Sequence, residues 1–191
     1  MLWFGRYYLH KMNLFRELED KIAEYPSKLW EKEVCLKRND HLKTSGTVDT
    51  NLYFVKSGTL QILLETESDD ITFRFAYQGN IISALDSFLS GNNSDFAIKA
   101  IKKSVVKVMK KEDFDAFISS NSENLLLWQK ILSTVILEMG EREKDLLLYS
   151  PEKRYQRLLE RTPSLFQLVP AKYIASYLRM TPETLSRIRK S

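Results

Sequence analysis

The chain has 191 residues, of which 43% are apolar and 28% charged, and its net charge at neutral pH is +4. This length suits one large domain or two small ones, and the apolar content is too high for a disordered protein. One cysteine and two histidines exclude an internal disulfide, a cysteine-ligated iron–sulfur cluster and a cysteine-rich zinc site. A membrane span needs a run of about eighteen apolar residues, which the sequence lacks, so we expect a cytoplasmic protein that contacts no membrane.

The N-terminal part of the chain predicts one short amphipathic helix. In residues 13–24, apolar side chains recur at the spacing of one helical face, and Tyr25–Pro26 ends the pattern. Residues 1–9 are rich in aromatic side chains, but no small-residue cleavage site of a secretory signal follows them. Because the regular pattern opens at Met12, we hypothesise that translation begins there.

From about Lys28 to Met109 the apolar pattern changes to a period of two, which is typical of strands. Ile71–Gly79 is the clearest case, because its large apolar side chains alternate with smaller or polar ones and should therefore share one face. Tyr53–Leu64 is interpreted as a second strand pair, broken at Ser57–Gly58. Several short strands separated by turn signals predict a sandwich or barrel of antiparallel strands.

Residues 124–149 predict a long helix with an apolar stripe that is suited to helix pairing. The stripe recurs at alternating spacings of three and four residues. The stripe residues that we expect at a dimer interface are Leu125, Trp128, Leu132, Val135, Met139 and Leu146. Further apolar positions widen the stripe, so the helix should pack on its own sheet as well as on a second copy. A core helix that packs only within its own chain is the alternative.

A domain boundary is predicted near Ser150, because this serine can cap a new helix and Pro151 suits the first helical position. Residues 151–191 contain nine basic and three acidic residues, so their net charge is +6, whereas that of residues 1–150 is −2. Basic charge concentrated on a small terminal module is typical of proteins that bind a polyanion.

Residues 171–190 fit the spacing of a helix-turn-helix. The apolar positions of this unit are Ile174, Ala175, Leu178, Met180, Leu185 and Ile188. Thr181 can cap the second helix and Pro182 suits its first position. A helix-turn-helix also occurs as plain packing in helical proteins, but the charge contrast favours DNA binding, and reading DNA by two-fold symmetry favours a homodimer. The predicted DNA-contacting residues are Lys172, Arg179, Thr181, Glu183, Thr184, Ser186, Arg187, Arg189 and Lys190.

The order of these segments resembles the Crp/Fnr family of bacterial transcription regulators, in its Bacteroidetes type. The most specific pieces are SPEKRYQRLLERTP at 150–163 and YIASYLRMTPETLSRIRK at 173–190. The resemblance implies an α+β fold with an N-terminal antiparallel β jelly-roll sensor domain, similar to cyclic-nucleotide-binding domains, at 12–120. It further implies a dimerisation helix at 121–149 and a helix-turn-helix DNA-binding domain at 150–191. The implied partner is double-stranded DNA that carries an inverted repeat.

The resemblance assigns base reading to Glu183, which would accept from cytosine, and to Arg187, which would donate a forked pair to guanine. The sequence departs from the family in three ways. Pro182 replaces an arginine that many members carry there. Arg179 replaces a corner glycine, and a left-handed residue other than glycine costs about 1 kcal/mol. No hairpin wing follows the second helix, so we expect weaker phosphate anchoring.

The sensor segment departs from the family's phosphate cassette. Ala84 stands where the resemblance places a glutamate for the ribose, and Ser94 stands where it places an arginine for the phosphate. Without that arginine a buried cyclic phosphate has no charge partner, so we expect no binding of cAMP or cGMP. A remodelled pocket for an unidentified small-molecule effector would be lined by Ser83, Ala84, Asp86 and Ser94, but a plain turn is the preferred interpretation of this segment.

A rival interpretation is a regulatory module that keeps the sensor fold and binds an effector or a protein without reading DNA. An enzyme is not expected, because the two histidines complete no catalytic set and no glycine-rich phosphate loop is present. We expect His41 at the surface, Cys35 in the interior and the acidic residues at 65–70 on a solvated hairpin tip. No metal or cofactor is expected.

Overall fold

The computed structural model describes residues 3–190, and the side chains of residues 12–190. Within this part of the chain the strands form two four-stranded antiparallel sheets. The first sheet has the order β1 (Lys32–Leu36), β8 (Ser104–Met109), β3 (Leu52–Ser57) and β6 (Ile81–Ile82). The second has the order β2 (His41–Lys43), β7 (Phe96–Ala100), β4 (Thr59–Glu65) and β5 (Asp70–Tyr77). Buried residues of both sheets form one apolar cluster, so the predicted architecture of packed antiparallel strands is confirmed.

The helices lie before, between and after the strands. They are α1 (Trp3–Ala23), α2 (Leu85–Ser90), α3 (Lys111–Ser119), α4 (Ser122–Leu147), α5 (Pro151–Arg161), α6 (Leu165–Leu168), α7 (Ala171–Tyr177) and α8 (Pro182–Ile188). The helix predicted at 13–24 is the second half of α1, which begins ten residues earlier. Leu18 of α1 is fully buried against α3 and α4. None of the described helices is both long enough and apolar enough to cross a bilayer.

The break expected at Ser57–Gly58 is confirmed, but the strands on its two sides do not pair with each other. β3 pairs with β6 and β8, whereas β4 pairs with β5 and β7, so the chain changes sheet at this point. Gly58 has a φ of 92°, and a Cβ there would lie 2.2 Å from the Oγ of Ser104. Only glycine therefore fits this crossing.

The single aromatic face expected along β5 is interrupted by a bulge. Arg74 pairs with Ile62 and Thr72 with Leu63, so Phe73 is the extra residue of the bulge. An extra residue moves the following side chains to the opposite face of the sheet. Phe73 accordingly packs against the cluster between the sheets, whereas Phe75 packs against the C-terminal helices.

The C-terminal helices share a core with the second sheet. Their buried members are Leu158, Leu165, Val169, Ile174, Ala175, Leu178 and Leu185. The cluster also includes Tyr77, at the end of β5, and Ile101, directly after β7. Helices α5 to α8 are therefore packed on the sheet by apolar contacts.

Candidate nucleic-acid interface and effector cavity

Helix α8 begins as the sequence predicts. The Oγ1 of Thr181 accepts a hydrogen bond from the backbone N–H of Thr184 at 3.2 Å, and Pro182 occupies the first turn. The capping residue satisfies one of the free donors at the helix start, and proline needs no donor there. Ser150 caps α5 in the same way, by accepting from the N–H of Lys153 at 3.3 Å.

The corner between α7 and α8 contains a left-handed residue, as expected. Arg179 has a φ of 55°, although it is not a glycine. Its N–H donates to the carbonyl of Ser176, and the N–H of Met180 donates to the carbonyl of Ala175 at 3.0 Å. The Nη2 of Arg154 also donates to the carbonyl of Arg179 at 3.3 Å. These hydrogen bonds hold the corner in a conformation that costs a non-glycine residue about 1 kcal/mol.

The two faces of α8 differ in exposure. Leu185 is buried in the shared core and Ile188 is half-buried. The opposite face of α8 carries Glu183, Ser186 and Arg187, which are exposed, and Arg189 and Lys190 are exposed directly after the helix. Thr184 is half-buried and lies with Arg187 in a groove between α5 and α8. Lys172 and Arg179 are exposed on the preceding segment. The predicted residues thus lie on one helix and its approach.

An ion-pair cluster that sequence reasoning missed connects α5 to α4. Asp145 is only 2% exposed; it accepts a hydrogen bond from the Nε of Arg157 at 2.6 Å and another from Arg161. Arg157 also donates to Glu141 at 2.9 Å. The hydrogen bond with Asp145 raises the pKa of Arg157. The two arginines are four residues apart and therefore lie on one face of α5. This spacing is the feature of the sequence that could have indicated the ion-pair cluster.

The hydroxyl group of Ser176 on α7 attaches that helix to the open edge of β5. Its Oγ accepts from the backbone N–H of Thr72 at 3.0 Å and donates to the carbonyl of Asp70 at 2.9 Å. Since β5 is the last strand of its sheet, these groups lack a neighbouring strand. The serine hydroxyl group therefore forms two hydrogen bonds with β5 of the kind that a neighbouring strand would form.

Arg142 of α4 joins the same place. Its Nη2 donates to the carbonyl of Thr72 at 3.1 Å, and its guanidinium carbon lies 5.1 Å from the ring centre of Phe73 and 4.8 Å from that of Tyr177. Burial lowers the pKa of this guanidinium. The guanidinium group is stacked between two aromatic rings, and this contact compensates for part of the free-energy cost of removing it from water. Strand β5, α4 and α7 thus meet at one side chain.

A cavity of about 380 Å³ lies between the sheets and α4. Its walls are mostly apolar and include Phe73, Phe96 and Trp128. Of the four residues predicted for an effector pocket, Ser83, Ala84 and Asp86 line this cavity, whereas Ser94 does not. The predicted stripe residues Leu132, Val135 and Met139 line it as well.

Ser94 lies under a buried lysine that sequence reasoning missed. The Nζ of Lys43 donates to the backbone carbonyl of Ser94 at 2.8 Å and to that of Phe96 at 2.6 Å. Lys43 is 4% exposed, and this burial lowers the pKa of its ammonium group. No local pattern marks the residue, because strand β2, which carries it, is three residues long.

The apolar surface that α4 leaves exposed differs from the stripe read from the sequence. Trp128 packs within its own chain, with its ring centre 4.9 Å from that of Phe114. The large apolar residues of α4 with more than 40% exposure are Leu125, Leu126, Ile136, Leu137, Met139 and Leu147. The centre of this exposed face lies roughly 100° around the helix axis from the centre of the predicted stripe. One residue advances an α-helix by the same angle. We call this face the exposed α4 stripe.

Other candidate residues lie apart from these sites. The Nε2 of His41 is 2.8 Å from a carboxylate oxygen of Glu65, and its hydrogen bond is the main reason for the lowered pKa of Glu65. Glu65 and Asp70 flank the tip of the β4–β5 hairpin, as expected. The expectation that Cys35 is buried is wrong, because it lies exposed on β1, where alternate side chains face solvent. Among the described residues no acidic, histidine and cysteine side chains cluster as metal ligands would.

The strand-rich part of the chain matches a known domain family. Residues 33–121 match the family described as cyclic nucleotide-binding domain. This range begins in β1 and ends just before α4, so it covers both sheets together with α2 and α3. No curated protein matches the sequence.

Several solved structures have a similar overall fold. A mutant of CooA from Carboxydothermus hydrogenoformans has a TM-score of 0.72 at 17% identity, over 91% of this chain and 82% of that one. FixK2 from Bradyrhizobium japonicum has a TM-score of 0.69 at 17% identity, over 83% and 82%. A CRP-family transcriptional regulator from Thermus thermophilus has a TM-score of 0.62 at 17% identity, over 82% of each. The chain therefore has a CRP-like fold.

Proposed function

We propose that this chain, with its CRP-like fold, is a homodimeric DNA-binding transcription regulator of the Crp/Fnr type. Residues 12–120 would form its sensor domain, residues 121–149 its dimerisation helix and residues 150–191 a helix-turn-helix DNA-binding domain. The observation that carries the proposal is the outer face of α8, which presents polar and basic side chains to solvent on a helix capped by Thr181. A helix of this kind fits the major groove of B-DNA, which is about 12 Å wide.

The side chains on α8 divide into two roles. Glu183 accepts from the amino group of cytosine, and Arg187 donates a forked pair of hydrogen bonds to guanine. Arg189 and Lys190, at the end of α8, contact phosphates, and Lys172 does so from the start of α7. Thr181, Thr184, Ser186 and Arg179 supply further phosphate contacts at the helix start and at the corner. Base contacts provide sequence preference, and phosphate contacts provide affinity that depends on salt.

The exposed α4 stripe is the surface that we assign to the homodimer. Ile136 is 66% exposed and Leu147 is 75% exposed, although both are large apolar residues on a long helix. Large apolar side chains that are exposed along one helix are typical of a protein interface. Pairing of two α4 helices would bury it and would present two copies of α8 to successive major grooves about 34 Å apart.

The sensor domain does not respond to cAMP or cGMP in this proposal. Ser94 replaces the phosphate-binding arginine, and Lys43 above it already donates to two backbone carbonyls. A cyclic phosphate buried beside Ser94 would therefore pair with Lys43 only if these hydrogen bonds were broken, and an unpaired buried charge is strongly unfavourable.

Selection from a pool of random duplexes tests the proposal, because the operator sequence is not needed beforehand. We expect enrichment of an inverted repeat whose half-sites are about one helical turn apart. The affinity for the enriched duplex, measured by fluorescence anisotropy, should fall linearly with salt concentration on logarithmic axes. If the pool yields no consensus and binding does not depend on salt, the chain is a regulatory module that does not read DNA.

A further inference from the structure

We propose that Arg154 is a positioning residue that fixes α8 relative to α4 and thereby limits binding to duplexes with one spacing between their half-sites. Arg154 is half-buried in the first turn of α5. The inference rests on the proposed function, because it concerns how two copies of α8 reach one duplex. It adds a property of the duplex that base contacts alone do not determine.

The guanidinium group of Arg154 bridges two backbone carbonyls from different parts of the chain. Its Nη1 donates to the carbonyl of Leu148 at 2.7 Å, and its Nη2 donates to the carbonyl of Arg179 at 3.3 Å. A guanidinium group is planar, and its N–H groups point in fixed directions. The two carbonyls are therefore held at a defined distance and angle from each other.

Both carbonyls lie where the chain changes direction. Leu148 directly follows α4, and its backbone is extended, with a φ of −77° and a ψ of 126°. A carbonyl at the end of a helix has no partner within that helix. Arg179 is the left-handed residue of the corner, and Thr181, which follows shortly after it, caps α8. The bridge thus connects the end of α4 with the start of α8.

Helix α5, which carries Arg154, is itself fixed on α4. Asp145 of α4 accepts hydrogen bonds from two arginines of α5. Leu158 of α5 and Leu185 of α8 belong to one apolar cluster, but apolar contacts are non-directional and leave the angle between helices undefined. The hydrogen bonds of Arg154 add the missing direction, because they depend on both distance and angle.

The guanidinium group of Arg154 is directed at its own protein. Its Nε is buried without a hydrogen-bond partner, and both terminal nitrogens donate to backbone carbonyls. An arginine that binds a phosphate presents these N–H groups to the phosphate oxygens instead. Arg154 is therefore suited to orienting α8 and does not contact the duplex itself.

A fixed orientation of α8 restricts the spacing of half-sites. Half-sites one helical turn apart are separated by about 34–36 Å. One added or removed base pair changes this separation by about 3.4 Å and rotates one half-site by about a tenth of a turn. A dimer with a rigid connection cannot follow both changes. A dimer without the bridge can adjust each α8, so it should accept more spacings while it reads the same bases.

Competition titrations on the full chain test the inference. The selected inverted repeat competes with duplexes whose spacer is one base pair shorter or longer. Arg154→Ala removes the bridge, and Arg16→Ala makes the same change at an exposed position of α1. The parent and Arg16→Ala should prefer the selected spacing at least about tenfold, and Arg154→Ala should lose at least about threefold of this preference. The base preference within each half-site and the slope of log affinity against log salt concentration should stay unchanged.

Arg154→Lys provides a second variant. It keeps the positive charge, but its single nitrogen cannot replace both terminal nitrogens of arginine at once. We expect the same loss of spacing preference as in Arg154→Ala. Circular dichroism and sedimentation equilibrium identify a variant that is unfolded or no longer dimeric, and Arg154→Lys then takes the place of Arg154→Ala.

Three outcomes would overturn the inference. They are a spacing preference that the Arg154 variants retain, an equal loss of preference in Arg16→Ala, and a salt slope that falls by about one in Arg154→Ala, which would indicate a phosphate contact. A parent that binds no duplex refutes the proposed function together with this inference. A parent that binds the repeat, while the Arg154 variants keep its spacing, refutes the inference alone.

Discussion

Ser176 accepts a hydrogen bond from the backbone N–H of Thr72, which lies 104 residues earlier in the chain. The contact connects α7 of the proposed DNA-binding domain with β5, the edge strand of the proposed sensor domain. It is continued by Arg142, whose guanidinium donates to the carbonyl of the same Thr72. Both backbone polar groups of one edge residue are therefore bonded to side chains outside its own sheet.

Ser176→Ala tests this connection. The substitution removes the acceptor for the N–H of Thr72, and one hydrogen bond contributes about 1 kcal/mol. We expect the amide of Thr72 to exchange with solvent about fivefold to tenfold faster, as measured by hydrogen–deuterium exchange. Ser119→Ala, at the exposed end of α3, is the control and should leave this amide unchanged. Equal protection in both variants would show that the hydroxyl does not hold the edge.

Asp145→Asn should destabilise the packing of α5 on α4. Asp145 is almost completely buried between Arg157 and Arg161, and removal of its charge leaves two guanidinium groups with one partner fewer. Breaking a buried pair of this kind costs about 3–5 kcal/mol. Denaturant unfolding monitored by circular dichroism measures the loss. Asp115→Asn, which breaks an exposed pair with Lys111, should cost no more than about 0.5 kcal/mol.

Ile136→Glu should separate the proposed dimer. A glutamate on the exposed α4 stripe would place one charge from each copy in an apolar interface, which is unfavourable without a partner. We expect the dimer dissociation constant to rise at least a hundredfold in sedimentation equilibrium. Lys103→Glu changes the charge in the same direction on the exposed turn before β8, and its dimer should be unaffected. A dimer that survives Ile136→Glu must use another surface.

Arg187→Ala should weaken binding to the selected duplex by about 1–3 kcal/mol and should relax preference at one base pair. The physical reason is the loss of the forked hydrogen bonds to guanine. Arg189→Ala is the matched comparison. It should weaken binding to all sequences equally and should reduce the slope of log affinity against log salt concentration by about one. Competition titrations with single-base variants of the duplex measure both effects. If sequence preference survives in Arg187→Ala, this arginine does not read a base.

Glu65→Gln should alter the pH dependence of stability. The hydrogen bond with His41 lowers the pKa of Glu65 below its ordinary value of 4.5. A carboxyl group with a lowered pKa stabilises the folded state above its unfolded pKa, and this contribution is lost as the pH falls through the folded value. The difference in unfolding free energy between the parent and Glu65→Gln should therefore be present near neutral pH, and it should decline below pH 4.5 as the pH falls through the lower pKa of the folded protein. A difference that does not vary with pH contradicts this assignment.

The sequence by itself determined the local features of this protein. Three local predictions are confirmed: the capping by Thr181 and Ser150, the prolines that follow these caps, and the left-handed corner at Arg179. Each of them depends on a few consecutive residues. The predominance of strands between Lys28 and Met109 is confirmed for the same reason, since alternation is a local property.

Only the tertiary structure decided which partners these elements have. The bulge at Phe73 divides the aromatic residues of β5 between two cores, and the contacts of Arg142 and Asp145 join residues far apart in the chain. On α4, apolar side chains occur around much of the helix, so the packing of Trp128 into its own domain decides which face remains exposed. Periodicity defines the faces of an element, but the choice among them depends on the free energy of contacts that form only when the chain is folded.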